Sequence, residues 1–383
     1  MNILVIGAGM MGRAIAFDLA NYSNFEEITI IDEDKKNLKS AEKFLKNKLV
    51  SFNMLNIEKR DHVKSIFQKN DIVISAIPYQ FNYIITKIAI DTKTHFLDLG
   101  GNNSIVERQR SLFKKAKENK VSVIHDCGLA PGLTSIIVRD AVDFFDSVEY
   151  VKIRVGGLPQ KPIPPFNYQI VFSPNGLINE YVENAIVLDH GEIVTKKSMT
   201  DLEEIIFPKP FNKLEAFLTS GGCSTLPYTY RDKIDYLDYK TIRYPGHCGK
   251  IKTFLDLGLG SEKEILIGNK KIIPRDILIN LLLSNIPKKG KDVVLAKVFS
   301  KGIKDNKNVE LDYIMIDYYD NKNYTTAMMR TTGYPVSIIA QMIEDGTISE
   351  CGVFGGEEIV PAKLFFQELK KRNIVINKEV REI

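Results

Sequence analysis

Over roughly the first third of the chain, short apolar runs alternate with stretches whose apolar residues recur at helical spacing. The runs are Ile3–Ile6, Ile28–Ile31, Leu49–Phe52, Ile72–Ser75, His95–Leu97 and Val121–Ile124. They are continuous rather than alternating, as in strands buried on both faces of a parallel sheet, and the segments between them supply the covering helices. The pattern changes near Cys127–Gly132. A proline-rich stretch at Pro159–Pro165 is followed by turn signals at Asp189-His190-Gly191 and Gly268-Asn269. Three longer runs, Val293–Ser300, Val309–Tyr318 and Tyr324–Thr331, predict an antiparallel sheet, with helices at Arg275–Ser284 and Ser337–Glu344. The fold class expected is α/β: a doubly wound parallel sheet followed by a second α+β domain with a largely antiparallel sheet. The boundaries expected are residues 1–127 and 128–325. Residues 326–383 are expected to rejoin the first domain, because the run Pro335–Glu344 follows a glycine and needs an apolar surface.

The 383 residues suit two domains, and 44% hydrophobic content supplies sizeable cores. Charge changes the picture only by exclusion. Fifty-two basic against 48 acidic residues leave a net of +4, too little to argue for nucleic acid, and Lys288–Lys291 reads as a solvated loop. The cysteines at 127, 223, 248 and 351 form no C-x-x-C pair, as expected of reduced thiols. No apolar run approaches the roughly 20 residues a spanning helix needs. No leader precedes the strand that opens at Asn2, so a cytoplasmic protein is expected. No H-E-x-x-H or Cys/His cluster is present, so no catalytic metal is expected.

Candidate chemistry begins where the first run ends. G-A-G-M-M-G places glycines at Gly7, Gly9 and Gly12, and the second run ends in Asp32, 20 residues after Gly12. Strand, tight turn, helix, strand and carboxylate in this order predict a Rossmann-type dinucleotide site. Gly7 permits the turn, Gly9 lets a pyrophosphate lie on the backbone, and Gly12 lets the helix pack closely. The helix start at Met10 and Met11 offers N–H groups to phosphate. Asp32 can bond both ribose hydroxyls and would repel a 2′-phosphate, so NAD is expected rather than NADP.

Other candidates sit at the carboxyl ends of later strands, where ligands bind in open α/β sheets. Ala76, Ile77 and Pro78 follow the fourth strand beside the cofactor, and Tyr79, Gln80 and Asn82 can point polar groups outward; Pro78 also fits a plain helix start. Leu99-Gly100-Gly101 reads as close backbone approach to the cofactor or as a tight turn. Asp126 is either a base or substrate ligand, or a carboxylate that bonds its own loop. Arg243 is a candidate carboxylate clamp and His247 a candidate acid/base group, against a surface arginine and a helix-start histidine. Ser220 and Thr225 belong to a small polar run, and Tyr168 follows the prolines. Cys127 reads as core.

These stretches resemble the saccharopine dehydrogenase-like family over almost the entire chain. The resemblance is carried by G-A-G-M-M-G-R at 7–13, A-I-P-Y-Q-F-N at 76–82, L-D-L-G-G at 97–101, D-C-G-L-A-P-G at 126–132 and V-G-G-L-P at 155–159. It continues in F-N-Y-Q-I-V-F-S-P-N-G-L at 166–177, E-A-F-L-T-S-G-G at 215–222 and Y-K-T-I-R-Y-P-G-H at 239–247. Within the family the chain is most similar to the lysine ε-dehydrogenases. That likeness implies NAD-dependent oxidative deamination of the lysine side-chain amine, giving 2-aminoadipate 6-semialdehyde, which can cyclise, with release of ammonia. It implies Asp126 or His247 as base, Tyr79, Gln80, Asn82 and Tyr168 as orienting groups, and Arg243 on the α-carboxylate. Asn53 and Met54 would lie near the adenine, with Asn53 where relatives carry an acid. A small amino-acid substrate, a homo-oligomer, and neither nucleic acid nor membrane are the expected partners. Two alternatives stay open: a saccharopine-type reductase, which needs a second anion site, and a non-catalytic NAD-sensing protein.

Overall fold

The computed structural model describes residues 1–46 and 49–383. They form two compact units. The first comprises residues 1–140, 224–226 and 329–375, and the second residues 141–223, 227–328 and 376–383.

The first unit opens with β1 (Asn2–Ile6), β2 (Glu27–Asp32), β3 (Val50–Met54), β4 (Ile72–Ser75), β5 (His95–Asp98) and β6 (Ser122–His125). Each matches one of the apolar runs. The runs are continuous because helices cover both faces: Ile3, Leu4 and Val5 are fully buried. The sheet order is β6-β5-β4-β1-β2-β3, and all neighbours are parallel. β1 therefore has β2 on one side and β4 on the other. That reversal of strand order is the place where such sheets hold ligands, just past the strand ends.

The second unit contains β7 (Ser147–Pro159), β8 (Ala185–Asp189), β9 (Glu192–Lys196), β10 (Glu203–Phe207), β11 (Asn212–Leu218) and β12 (Ile234–Arg243). A small hairpin, β13 (Ile265–Ile267) and β14 (Lys270–Ile272), precedes β15 (Asp292–Lys304) and β16 (Lys307–Tyr318). Both turn signals lie in hairpin loops, β8–β9 and β13–β14. The β15–β16 loop is Asp305-Asn306, with φ of +50° and +61°, the twist that a two-residue hairpin prefers. The sheet is antiparallel except where β12 runs parallel to β7.

The chain then returns. β17 (Gly352–Gly355) adds a parallel strand to β6, and β18 (Ile376–Glu382) pairs with β16. The pattern missed β17 because Gly-Val-Phe-Gly is short and bounded by glycines, so neither periodicity nor propensity marks it.

Residues 324–331 do not form the expected third long strand. A helix, Ala327–Glu344, begins there and contains Pro335. The Asp292 carboxylate accepts from Ala327 N at 2.7 Å and Met328 N at 3.0 Å, capping the first turn. This cap, distant in sequence, overrides the strand propensity of a Tyr/Thr-rich run. Further along, a Cβ on Gly333 would lie 2.8 Å from Ala14 Cβ, so this helix packs closely on the helix Met10–Tyr22. The contact is locked by Arg372 Nε on Asp18 Oδ1 at 2.7 Å and Ser337 Oγ on Asp18 Oδ2 at 2.7 Å, with Asp18 fully buried. No helix among the described residues is long and apolar enough to cross a membrane.

Candidate functional site

The first candidate region is built from backbone. Gly7 N donates to Ile31 O at 2.7 Å as the chain leaves β1. Its φ is +101°, and a Cβ there would lie 2.8 Å from Ala76 O. A Cβ on Gly12 would lie 1.7 Å from Gly7 O, so only glycine lets the helix seat on the turn. At Gly9 a Cβ would meet nothing within 4 Å: that face of the loop is open. The helix starts at Met10 with no side-chain cap, so its first-turn N–H groups and dipole are available to an anion.

Asp32 closes the loop. Its Oδ2 accepts from Ala8 N at 2.8 Å, and its Oδ1 accepts from Asp34 N at 2.7 Å. The carboxylate borders a cavity of about 570 Å³ whose walls include Gly7, Gly9, Ala76, Ile77 and Pro78. Glu33 and Glu58 also line it, and no lysine or arginine does so among the described residues. Asn53 and Met54 lie exposed at the end of β3, outside that lining. Leu55, Asn56 and Ile57 take the wall instead, because Leu55 N bonds Asp32 O at 3.1 Å and turns the chain back. The continued apolar-polar alternation of Leu55-Asn56-Ile57-Glu58 was the available signal.

Beyond β4, Pro78 precedes a single 3₁₀ turn, Tyr79–Phe81, and the helix Asn82–Thr92. Asn82 is buried and accepts Ser75 Oγ at 2.8 Å, tying strand to helix, whereas Gln80 is exposed. Gly101 packs on the Tyr79 ring: a Cβ there would lie 3.1 Å from Tyr79 Cδ1. Gly100 has φ +72°, and a Cβ there would lie 1.8 Å from Asp126 Oδ1, so the glycine admits the carboxylate.

Asp126 itself has φ +59° and is buried. Its Oδ2 accepts Ser224 Oγ at 2.5 Å and faces His125 Nδ1 at 2.8 Å, while Oδ1 has no hydrogen-bond partner among the described residues. Burial, together with the Asp126 charge, pushes the neighbouring Asp98 carboxyl up. Burial works against a charge on His125, yet Asp126, Asp98 and Glu357 hold its ring above the ordinary histidine range. Thr225 Oγ1 donates to buried Glu357 at 2.6 Å. Ser224, Asp98 and Glu357 were missed by the sequence reading, since no motif marks a partner from so distant a segment. Cys127 is buried, and burial raises its thiol well above the usual range.

The second region lies wholly in the second unit and is built from side chains. Arg243 ends β12, is buried, and donates from Nε to Tyr181 OH at 3.1 Å and from Nη1 to Ile242 O at 2.9 Å. Its guanidinium carbon lies 4.9 Å from the Tyr168 ring centre. His247 starts the next helix amid the rings of Phe166, Tyr168, Tyr181 and Phe217. Its Nδ1 lies 3.1 Å from Phe166 O, which can only accept, so Nδ1 carries the proton and Nε2 accepts from Tyr181 OH at 3.1 Å. Burial, with Arg243 nearby, lowers the ring to about 3. His247 is therefore neutral with both nitrogens bonded, a support for Tyr181 and through it for Arg243. The Tyr168 hydroxyl is buried with no hydrogen-bond partner among the described residues, and burial raises it to about 12. Ser220 joins this region through its backbone, donating to Glu180 O at 3.0 Å. The structure thus gathers Tyr168, Ser220, Arg243 and His247 in one unit, and Asp126 and Thr225 in the other.

The comparisons with known proteins decide the family. A model described as saccharopine dehydrogenase C-terminal domain matches residues 128–375, and one described as saccharopine dehydrogenase NADP binding domain matches residues 3–124. The chain belongs to the saccharopine dehydrogenase family. Among family relatives, the rat mitochondrial alpha-aminoadipic semialdehyde synthase is 21% identical over 459 residues, covering 98% of this chain and 47% of that protein. The chain thus spans about half the length of the mammalian relatives it matches. Saccharopine dehydrogenase [NADP(+), L-glutamate-forming] of Saccharomyces cerevisiae is 24% identical over 330 residues, 81% of this chain and 69% of that one. Apo saccharopine dehydrogenase (L-Glu forming) from Saccharomyces cerevisiae shares the fold, with a TM-score of 0.81 at 19% identity and 99% coverage of both chains.

Proposed function

We propose that this family member is an NAD-dependent amino-acid dehydrogenase that oxidatively deaminates the ε-amine of L-lysine to 2-aminoadipate 6-semialdehyde and ammonia. The observation that carries the substrate choice is how the buried cations of the second unit are used. Arg154 is paired with Asp238, Lys240 with Glu203 and Arg275 with Glu262. Arg243 bonds a phenol and a carbonyl instead. One buried guanidinium without a bonded carboxylate suits one substrate carboxylate, whereas saccharopine carries three.

The nicotinamide dinucleotide supplies, when bound, the acceptor for the hydride. Gly7, Gly9 and Gly12 would leave room for its pyrophosphate at the start of the helix Met10–Tyr22, and Asp32 would take its ribose hydroxyls. NAD is favoured because Asp32, Glu33 and Glu58 border the cavity with no lysine or arginine among the described lining residues. A 2′-phosphate there would meet carboxylates and no cation among the described lining residues. Arg243 would hold the α-carboxylate. Loss of hydride and a proton from the CH–NH₂ group leaves an imine; water adds to it, and ammonia departs as the aldehyde forms. Asp126 is the proposed proton acceptor for that water, since its buried Oδ1 has no partner among the described residues, while Ser224 and His125 hold Oδ2. His247 is assigned a positioning role.

The test is absorbance of reduced nicotinamide with L-lysine and NAD, against NADP, L-ornithine and saccharopine. NADH and ammonia from lysine, with NADP at least tenfold poorer, support the reading. Turnover of saccharopine with lysine silent would instead support the second reading, a glutamate-forming saccharopine dehydrogenase, which the names of the relatives favour. Nucleotide binding without turnover of any amine would point to the sensing protein. Full activity of Asp126→Asn would remove Asp126 from the chemistry.

A further inference from the structure

We infer that Glu180 reads the α-ammonium group of the substrate and forms, with Arg243 and the Tyr168 hydroxyl, a receptor for an amino-carboxylate head. This rests on the proposed function for its ligand class, an amino acid. It adds the group that recognises the amine, which no sequence motif singled out.

Glu180 lies on the helix Pro174–Val182, one residue before Tyr181. Its backbone is fixed on both sides. Tyr181 OH is bonded to Arg243 and His247, and Glu180 O accepts Ser220 N at 3.0 Å. The preceding residue is held as well, with Arg275 Nη1 on Asn179 Oδ1 at 2.8 Å. The Glu180 carboxyl, by contrast, makes no hydrogen bond among the described residues, although it is half-buried and acts electrostatically on Arg243, Tyr168 and Tyr181.

A structural counter-ion to Arg243 would be expected to bond it, as Asp238 bonds Arg154 through two oxygens at 2.7 and 3.1 Å. Beside Glu180 the Tyr168 hydroxyl is also unpartnered among the described residues, in a side chain only 1% exposed. Buried polar groups are almost always satisfied, so the orphaned Tyr168 hydroxyl beside an unbonded carboxylate points to a ligand. The three bring complementary chemistry: a guanidinium for a carboxylate, a carboxylate for an ammonium, and a phenol that can donate or accept. An α-amino acid presents the matching pair on one carbon. Burial raises the Glu180 carboxyl to about 7 against the pull of Arg243, so an arriving ammonium would expel a proton near neutral pH.

The experiment is calorimetric titration of the full chain with L-lysine and with 6-aminohexanoate, which keeps the carboxylate and the terminal amine but lacks the α-amine. Wild type should bind lysine about tenfold or more tightly than 6-aminohexanoate, the usual worth of a charged hydrogen bond. Glu180→Gln should bring the two within about twofold by weakening lysine only, and Glu180→Asp should recover part of the difference. Titrations near pH 7 in buffers of different ionisation enthalpy should show proton release with lysine in wild type and none in Glu180→Gln. Unchanged thermal melting and NADH affinity certify that the variants fold. Equal discrimination in wild type and Glu180→Gln overturns the inference, as does a wild type that binds neither lysine, saccharopine nor glutamate. Lysine that binds with this pattern but is not oxidised leaves Glu180 standing and removes the dehydrogenase reading.

Discussion

The two candidate regions differ in what they are made of. The first-unit loop is a surface of peptide groups: three glycines, an uncapped helix start and one strand-end carboxylate. Its fit depends on the absence of side chains, and a Cβ at Gly7 or Gly12 would strike backbone. The second-unit cluster consists almost wholly of buried polar side chains. Arg243, Tyr181 and His247 form a chain of hydrogen bonds that ends on Phe166 O. A backbone site tolerates change around it and fails when a side chain is added. A side-chain site fails when one of its members is removed, because the rest are left unsatisfied.

That contrast can be broken most sharply at Gly12. Gly12→Val should cost nucleotide affinity roughly two orders of magnitude or more, read by NADH fluorescence titration, because the added carbons meet Gly7 O. Retained affinity would mean that the loop can move aside and is not the rigid cradle described. The counterpart is Arg243→Met. It should raise KM for lysine by about 30-fold or more in steady-state kinetics and leave NADH affinity unchanged; an unaltered KM would remove Arg243 from the substrate.

Smaller effects sharpen the electrostatic side of the comparison. Asp32→Ala should shift the NAD-to-NADP preference by about tenfold toward NADP in kcat/KM. A variant that still rejects NADP as wild type does would show that Glu33, Glu58 or another feature carries the discrimination. His247 should be visible in stability. Its folded value is near 3 against an ordinary 6.5, so its neutral form stabilises the fold above pH 6.5 and that contribution is lost as pH falls toward 3. Urea unfolding across about pH 4 to 6 should show a slope of up to about 1.4 kcal/mol per pH unit that His247→Gln lacks. Equal slopes would mean that the ring is hydrated.

The same contrast explains what could be read in advance. Six strands of the first sheet and the glycine loop were visible because their determinants are local: continuous apolar runs, and glycine spacing fitted to one turn. β17 was not visible, because Gly-Val-Phe-Gly becomes a strand only beside β6. The run Tyr324–Thr331 read as strand and folded as the start of a helix because Asp292 supplies a cap no local pattern announces. In the candidate regions, Arg243 and Asp126 were singled out by type and position, whereas Ser224, Glu357 and Glu180 carried no local mark.

The sequence by itself determined the first six strands of the first unit and their alternation with helices, the glycine geometry at the end of β1 and the carboxylate at the end of β2. Each depends on residues within a few turns of one another. Tertiary structure alone decided that Ser224 meets Asp126, that Tyr181 links Arg243 to a neutral His247, and that the hydroxyl of Tyr168 is buried without a partner among the described residues. Hydrogen bonding and desolvation of buried groups depend on which distant segments are brought together, and a one-dimensional pattern does not encode those distances.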